Sequence, residues 1–234
     1  MGYQAKVVIL TAGFRPTMGG LETHLNDLTS ELKKKYKLLV VSLPPLSSNV
    51  EAKCVEKEGK NLLIWRVPWV GEGLFYKLLR WPVLELAYLV PPLALGLLVA
   101  LVRYPSVEVV HAQGLGPAIP GVILGKLWRK RVIVSTHFVF HFQENLLGRV
   151  AKWVLNGTDR VLCVSDISIE ETTGLGIPKE KVGRCAYWID LDLFKPMAKE
   201  KAKKMVGWPG KFSVLFVGRL LPGKGVREVA SDVL

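Results

Sequence analysis

The sequence has few cysteines and lacks the short motifs of several common sites. Its three cysteines include no C-x-x-C pair, so they indicate neither a zinc site nor a disulfide framework. The sequence has no G-x-G-x-x-G and no G-K-[ST], the two familiar phosphate-binding fingerprints. Because the glycine fingerprint and the ribose-binding acid that follows it are both missing, a dinucleotide-dependent oxidoreductase is disfavoured.

Acidic residues are also in deficit. Lysine and arginine outnumber aspartate and glutamate by 32 to 20, which gives a net charge of +12 and predicts partners that carry negative charge. The basic residues are scattered and form no recognisable reading motif, so we expect no nucleic-acid partner. The apolar run near the N-terminus is too short for a secretory signal, and we therefore expect a cytoplasmic protein.

Half of the residues are hydrophobic, and short apolar runs alternate with helical stretches. Such alternation predicts an α/β fold with a doubly wound, Rossmann-like parallel sheet. Continuously apolar runs are typical of strands that are covered on both faces. The seven predicted strands span residues 6–11, 37–43, 61–67, 107–111, 131–136, 160–165 and 181–186.

A loop with two adjacent glycines, Gly19 and Gly20, joins the first predicted strand to a helix predicted over 20–34. Free backbone N–H groups and the helix dipole converge at such a loop, so it predicts an anion pocket. In doubly wound sheets, ligands bind beyond the carboxyl ends of the strands. The residues at the other strand ends are 111–116, 137–141 and Ser165, the last of which we interpret as a helix N-cap.

Residues 83–102 form the most apolar segment, with Glu85 as its only charge and Pro91-Pro92 in the middle. The prolines predict two short helices that are partly buried in the domain. Two alternatives stay open: a hairpin that rests on one leaflet of an anionic membrane, and a transmembrane span. In the hairpin, neighbouring aromatic and basic side chains lie at the interface: Trp65, Arg66, Trp69, Phe75, Tyr76, Lys77, Arg80, Trp81 and Arg103.

The sequence pattern changes after residue 196. A lysine-rich stretch, 199–204, precedes a new apolar run at 212–217, which predicts a linker and the first strand of a second domain. The predicted domains are therefore 1–196, which is Rossmann-like, and 197–234. Because about forty residues are too few to bury a separate core, we expect the chain to stop inside the second domain.

Four stretches, by their order and spacing, resemble the retaining glycosyltransferases of the GT-B fold, family four. Residues 19–24 (GGLETH) are similar to the family's G-G-x-E/Q-x-H element, and residues 109–114 (VVHAQG) are similar to its D-V-V-H-x-H-G strand end. Residues 132–137 (VIVSTH) are similar to V-V-x-T-x-H-G, and residues 216–226 (FVGRLLPGKGV) to F-V-G-R-L-x-x-E-K-G. The resemblance implies that 1–196 is the acceptor-side, N-terminal half of a GT-B fold and that 197–234 opens the donor-binding domain.

The resemblance also implies roles for the matching residues. Gly19 and Gly20 would let the donor diphosphate approach the backbone, which a Cβ would obstruct. Arg219 and Lys224 would stabilise the negative charge that grows on the diphosphate leaving group. The remaining implied site residues are His137 as a catalytic residue near the sugar, and Glu22, His24 and His111 at the acceptor or in support of the site. Structural alternatives stay open for the two glycines as turn residues, for Arg219 and Lys224 as solvated loop charges, and for His137 and His111 as structural histidines.

The function implied by the resemblance is transfer of a sugar, with retention, from a nucleotide-diphosphate sugar to a lipid-linked or glycan acceptor. The nucleotide sugar is a substrate, and we expect no cofactor and no metal, since His137 and His141 lack the glutamate of H-E-x-x-H. The alternative is a non-catalytic module that binds an acceptor or an anionic membrane surface. The sequence departs from the family pattern at Tyr187-Trp188, where the family has Asn-Gly, at Phe138 in place of glycine, and at Gly223 in place of glutamate.

Overall fold

The structure is a computed structural model, and it describes residues 3–45, 51–69, 74–78, 81–137, 145–187, 189–208, 210, 212–218 and 225–233. The chain divides into two compact units, Met1–Trp188 and Ile189–Leu234. The domain boundary after residue 196 stays a prediction.

The first unit is built around one sheet whose described strands run in the order β3-β4-β2-β1-β5-β6-β7-β8. All neighbouring strands are parallel except β3 and β4, which are antiparallel. The strands are β1 (Val7–Leu10), β2 (Leu38–Ser42), β3 (Val55–Glu58), β4 (Leu62–Arg66), β5 (Val109–Gln113), β6 (Arg131–Thr136), β7 (Arg160–Cys163) and β8 (Val182–Arg184). The helices are α1 (Gly20–Leu32), α2 (Leu74–Leu78), α3 (Pro82–Arg103), α4 (Leu115–Leu127), α5 (Leu146–Asn156) and α6 (Asp166–Gly174), and a 3-10 turn spans Lys179–Lys181.

Successive residues of β1 show why the strands in the middle of the sheet are apolar throughout. Val8 and Leu10 pack in one buried cluster with Leu93 of α3. Ile9, on the opposite face, packs in a second cluster with Leu25 of α1. Both faces of the sheet are therefore covered by helices, which confirms the predicted doubly wound α/β fold.

The seven predicted strands are all present, but β3 was not predicted. Its sequence, Val55-Glu-Lys-Glu58, has no apolar run, and its residues are exposed or half-buried. A charged strand at the edge of a sheet gives no hydrophobic signal and protects that edge against pairing with other chains. β3 therefore differs from the strands of the parallel core both in direction and in composition.

The structure corrects the prediction of two short helices in residues 83–102. α3 is one helix of 22 residues and continues through Pro91 and Pro92. It packs against α4 and β2, and this packing stabilises a helix that its prolines alone would interrupt. By length and composition α3 is also able to cross a membrane, although a third of its apolar window is buried inside this unit. The prediction that the segment is partly buried is confirmed.

Gly96 brings α3 close to the sheet. A Cβ on Gly96 would lie 2.5 Å from Cγ2 of Val67 and 2.8 Å from Cγ1 of Val41. Both distances are below ordinary van der Waals contact, and both partners are buried. The helix can therefore keep its place on the sheet only while residue 96 has no side chain.

The second unit contains α7 (Lys199–Met205) and α8 (Val226–Val233) among its described residues. Residues 212–217, which we predicted as a strand, form none there, and Phe212 and Val217 are exposed. A strand requires a neighbouring strand to which its backbone is hydrogen-bonded. The described residues of this unit include no strand that could be such a neighbour.

We predict that Gly96→Ala lowers the free energy of unfolding by about 1–3 kcal/mol, because the added methyl group overlaps two buried valines. Gly174→Ala is the matched control, since Gly174 also lies in a helix and an added Cβ meets no atom within 4 Å. Urea denaturation followed by circular dichroism measures both variants. Equal stability of the Gly96→Ala variant and the unaltered protein would contradict the close packing of α3.

Candidate functional site

The loop between β1 and α1 lies at the carboxyl edge of the sheet, as predicted. The N-cap of α1 is Gly19, and no side chain caps this helix end. Its free N–H groups and the helix dipole make the position suitable for a negatively charged group. The backbone of Gly19 is extended, with φ 179°, so its conformation alone does not require glycine.

Glu22, in the first turn of α1, places its carboxylate against this loop. A Cβ on Gly13 would lie 2.7 Å from Oε1 of Glu22, and a Cβ on Gly19 would overlap Oε2. A Cβ on Gly20 would meet no protein atom within 4 Å. The carboxylate of Glu22 therefore occupies the space beside Gly13 and Gly19, whereas the space beside Gly20 is open.

A buried arginine holds the glycine loop in place. Arg66 of β4 is 1% exposed, and its guanidinium donates to the carbonyl oxygens of Arg15 and Lys53, at 2.7 Å each, and to Glu56 at 3.0 Å. Arg15 in turn donates to Asn26 of α1 and forms an ion pair with Glu58. The two glutamates of the unpredicted strand β3 thus pair with the arginines that anchor the loop, which explains why that strand is charged.

The structure brings two predicted strand-end regions, together with helix α1 and the segment after β8, around His137, which directly follows β6. Nδ1 of His137 lies 2.5 Å from Oη of Tyr187, and Nε2 lies 2.9 Å from Oε1 of Gln113, the last residue of β5. His24 of α1 stacks on the ring of Tyr187, with 4.0 Å between ring centroids and an interplanar angle of 7°. The rings of His24 and His137 are 6.0 Å apart.

Tyr187 and Gln113 were not predicted as site residues. Tyr187 is fifty positions from His137, so no local pattern relates the two residues. Gln113 lies in residues 109–114, at a position where the family pattern has a histidine. This difference from the family pattern was the sequence feature that could have indicated Gln113 as a site residue. Ser165 does act as the N-cap of α6, where it forms a capping box with Ser168, so that prediction is confirmed.

Burial keeps the central histidines neutral. Desolvation, together with neighbouring histidines, lowers the pKa of His137 and of His111 to about 4, and burial also lowers the pKa of His24. Burial raises the pKa of Tyr187 to about 12, so its hydroxyl keeps its proton. His111 lies inside β5 and pairs through Nε2 with the hydroxyl of Ser135 at 2.8 Å. At neutral pH the cluster therefore offers neutral hydrogen-bonding groups and the carboxylate of Glu22.

Several predicted residues are not among those that the structure describes. Arg219, Lys224, His141, Phe138 and Gly223 lie outside the described residues. The described residues include no group of three or more histidine, cysteine, aspartate or glutamate side chains that could hold a metal ion.

Comparison with known families places most of the chain in one of them. A model of Glycosyltransferase Family 4 matches residues 18–193. The chain belongs to this glycosyltransferase family. No curated protein sequence matches the chain.

Solved structures of glycosyltransferases share the fold. HepE of Anabaena in complex with UDP matches with a TM-score of 0.58 and 17% identity, over 86% of this chain and 50% of that protein. Sucrose-phosphate synthase of Thermosynechococcus elongatus matches with a TM-score of 0.60 and 13% identity, over 87% and 53%. A glycosyltransferase of Rickettsia africae matches with a TM-score of 0.55 and 16% identity, over 88% and 50%. The chain thus spans about half the length of these proteins.

These matches confirm the predicted family and its α/β fold. The roles assigned to Gly19, Gly20, Glu22, His24, His111 and His137 stay predictions, as do those of Arg219 and Lys224.

We predict that the free energy of unfolding falls as the pH is lowered from about 6.5 to about 4. In this range the unfolded chain binds protons at His111 and His137 that the folded chain does not bind, so acid favours unfolding. The measurement is the denaturant midpoint as a function of pH. His111→Gln, which retains a partner for Ser135, should reduce the slope between these pH values. An unchanged slope would contradict a neutral, buried His111.

Proposed function

We propose that the protein to which this chain belongs transfers a sugar from a nucleotide-diphosphate sugar to an acceptor, with retention of the anomeric configuration. One observation supports the proposal in this unit: the glycine loop, His24 of α1 and His137, which follows β6, lie at one edge of the sheet. That edge is where doubly wound sheets bind their ligands. Membership of the glycosyltransferase family supplies the reaction class.

The donor class rests on the solved relatives. HepE has been solved with UDP, with UDP and glucose, and with UDP-glucose. We therefore propose a nucleoside diphosphate sugar as the donor substrate, and no cofactor. Because the open space beside Gly20 lies at a helix N-terminus, it suits the approach of a diphosphate oxygen.

We assign different chemistry to the two parts of the chain. His24 and the Glu22 carboxylate would bind hydroxyl groups of the sugar or the acceptor, because each can accept a hydrogen bond. A carboxylate beside Gly19 repels a second anion, so the diphosphate requires cations from elsewhere. Arg219 and Lys224 are the proposed cations, and they would stabilise the leaving group as its charge develops.

A lipid-linked acceptor is a second element of the proposal, and the outer face of α3 favours it. Seven apolar residues at helical spacing are exposed along this helix: Leu84, Ala87, Pro91, Leu95, Leu98, Val99 and Val102. Ile123 and Leu127 of the adjacent α4 are also exposed. We call these nine residues the outer apolar face. An apolar surface of this extent suits contact with lipid at the cytoplasmic face of a membrane.

Cations border the outer apolar face. Arg103 ends α3 and Arg129 follows α4, so anionic lipid would add electrostatic attraction to apolar burial. Lys126 of α4 is paired with Asp159. Trp81, Trp69 and the side chain of Lys77 are exposed, as the interfacial alternative requires. Arg66 and Trp65 do not belong to this surface, because Arg66 is buried in its ion pair and Trp65 is half-buried against the core.

We predict that Arg219→Ala and Lys224→Ala each lower kcat by a factor of about 10²–10³, because each removes a cation from the developing diphosphate. The assay uses the protein in its natural length with a panel of UDP- and GDP-sugars. Lys204→Ala, which removes an exposed lysine of α7, is the control and should retain full activity. Absence of turnover with every nucleotide sugar would contradict the proposed reaction. A product whose anomeric proton signal shows the configuration opposite to that of the donor would contradict retention.

We predict that the protein floats with anionic vesicles at low salt. The double variant Leu95→Ser/Val102→Ser should lower the partition coefficient onto these vesicles by about tenfold or more. Leu146→Ser with Ile167→Ser is the matched control, since these two side chains are 66% and 62% exposed on other helices. Binding of the control variant should equal that of the unaltered protein. Protein that stays soluble with anionic vesicles would contradict membrane contact without affecting the proposed reaction.

A further inference from the structure

Tyr187 links two histidines that belong to different elements of the first unit. It lies three residues beyond β8, in a segment that continues along β7, since the backbone N–H of Cys185 donates to the carbonyl of Cys163 at 2.8 Å. The ring of Tyr187 stacks on His24, and its hydroxyl reaches Nδ1 of His137. The tyrosine is thus held by its ring while its hydroxyl contacts the predicted catalytic histidine.

The contacts of His137 define where its proton lies. Oε1 of Gln113 can only accept a hydrogen bond, so Nε2 of His137 carries the proton and donates it across 2.9 Å. Because the ring is neutral, Nδ1 has no proton and accepts from the hydroxyl of Tyr187 across 2.5 Å. The three side chains therefore form one directed chain of hydrogen bonds from Tyr187 through His137 to Gln113.

This chain of hydrogen bonds leaves one polar group unsatisfied. Gln113 is 3% exposed, and its Nε2 has no hydrogen-bond partner among the described residues. A buried amide without a partner is costly, and such groups in folded proteins call for a specific explanation. An oxygen of a sugar hydroxyl can accept from this N–H group, and the site at the strand ends is where a sugar is proposed to bind.

We propose that Tyr187 is a positioning residue for sugar binding, which fixes the Nε2–H tautomer of His137 and thereby turns the amide of Gln113 so that its N–H group donates to a sugar hydroxyl. The inference rests on the proposed function, because it takes the sugar of the nucleotide donor as the ligand. The proposal gives a role to Tyr187, which stands where the family pattern has asparagine. A tyrosine at this position supplies both a ring for His24 and a hydroxyl for His137.

The first test measures the tautomer directly and needs no ligand. In ¹⁵N-labelled protein near neutral pH, the ring nitrogens of His137 should show the Nε2–H form alone, with assignment from the His137→Gln spectrum. Tyr187→Phe retains the ring that stacks on His24 and removes the hydroxyl, so both tautomers should become populated. Tyr36→Phe, which alters an exposed tyrosine, is the matched control and should leave the His137 signals unchanged.

The second test measures donor binding by the protein in its natural length. Tyr187→Phe should raise KM for the nucleotide sugar by about fivefold to tenfold, the effect of losing one well-placed neutral hydrogen bond. Gln113→Leu should raise KM by a similar factor, and the two changes together should not be additive, because both act on one group.

The two tests separate the inference from the proposed function. An Nδ1–H tautomer in the unaltered protein, or a His137 spectrum that Tyr187→Phe does not change, would overturn the positioning role. An unchanged KM in Tyr187→Phe would also overturn it. Failure of the unaltered protein to bind any nucleotide sugar would instead contradict the proposed function, while the tautomer measurement still decides the arrangement of the three side chains.

Discussion

The burial of a parallel sheet on both faces is the constraint on which this unit depends. Val110 and Ala112 of β5 and Val132 and Val134 of β6 are fully buried, so these side chains have no access to a ligand. Polar side chains with access to a ligand must therefore lie where strands end. Since β5 and β6 are parallel and adjacent, their carboxyl ends meet, and Gln113 and His137 come within hydrogen-bond distance although they are 24 positions apart.

The same constraint explains the electrical character of the site. Burial removes the positive charge from its histidines, and the carboxylate of Glu22 lies against the glycine loop. The two arginines at that loop, Arg15 and Arg66, are paired with glutamates of β3. The helix N-terminus at Gly20 is open to a phosphate oxygen, whereas His24 and Glu22 suit hydroxyl groups. A reaction in which a diphosphate departs therefore depends on cations outside this surface, and the arginine and lysine of the second unit are the proposed source.

The elements of the fold differ in how far the sequence alone predicts them. Strands β1, β2 and β4 to β7 were predictable because apolar runs reflect burial on both faces. Strand β8 is short and half-buried or exposed, and its prediction depended on the alternation of strands and helices. Strand β3 was not, because its role is electrostatic and its sequence is charged. The continuity of α3 through Pro91 and Pro92 depends on packing against α4 and β2, which a local rule on proline does not include.

The candidate site shows the same division. His137 and the glycine loop were predictable because both directly follow a strand, and topology then places them at one edge. The stacking of His24 on Tyr187 and the buried support from Arg66 depend on residues far apart in the sequence, so only the folded structure relates them. Tyr187 was noticed as a departure from the family pattern, but its partners could not be derived from that pattern.

The most direct test of the account is a titration of the isotopically labelled protein with UDP-glucose, following the backbone and side-chain amide signals. The account predicts saturable shifts at Gln113, at His137 and in the glycine loop around Gly20, with little change at the opposite edge of the sheet near Arg131. Saturable binding that leaves Gln113 and His137 unperturbed would contradict the claim that the strand ends of this unit form the sugar site.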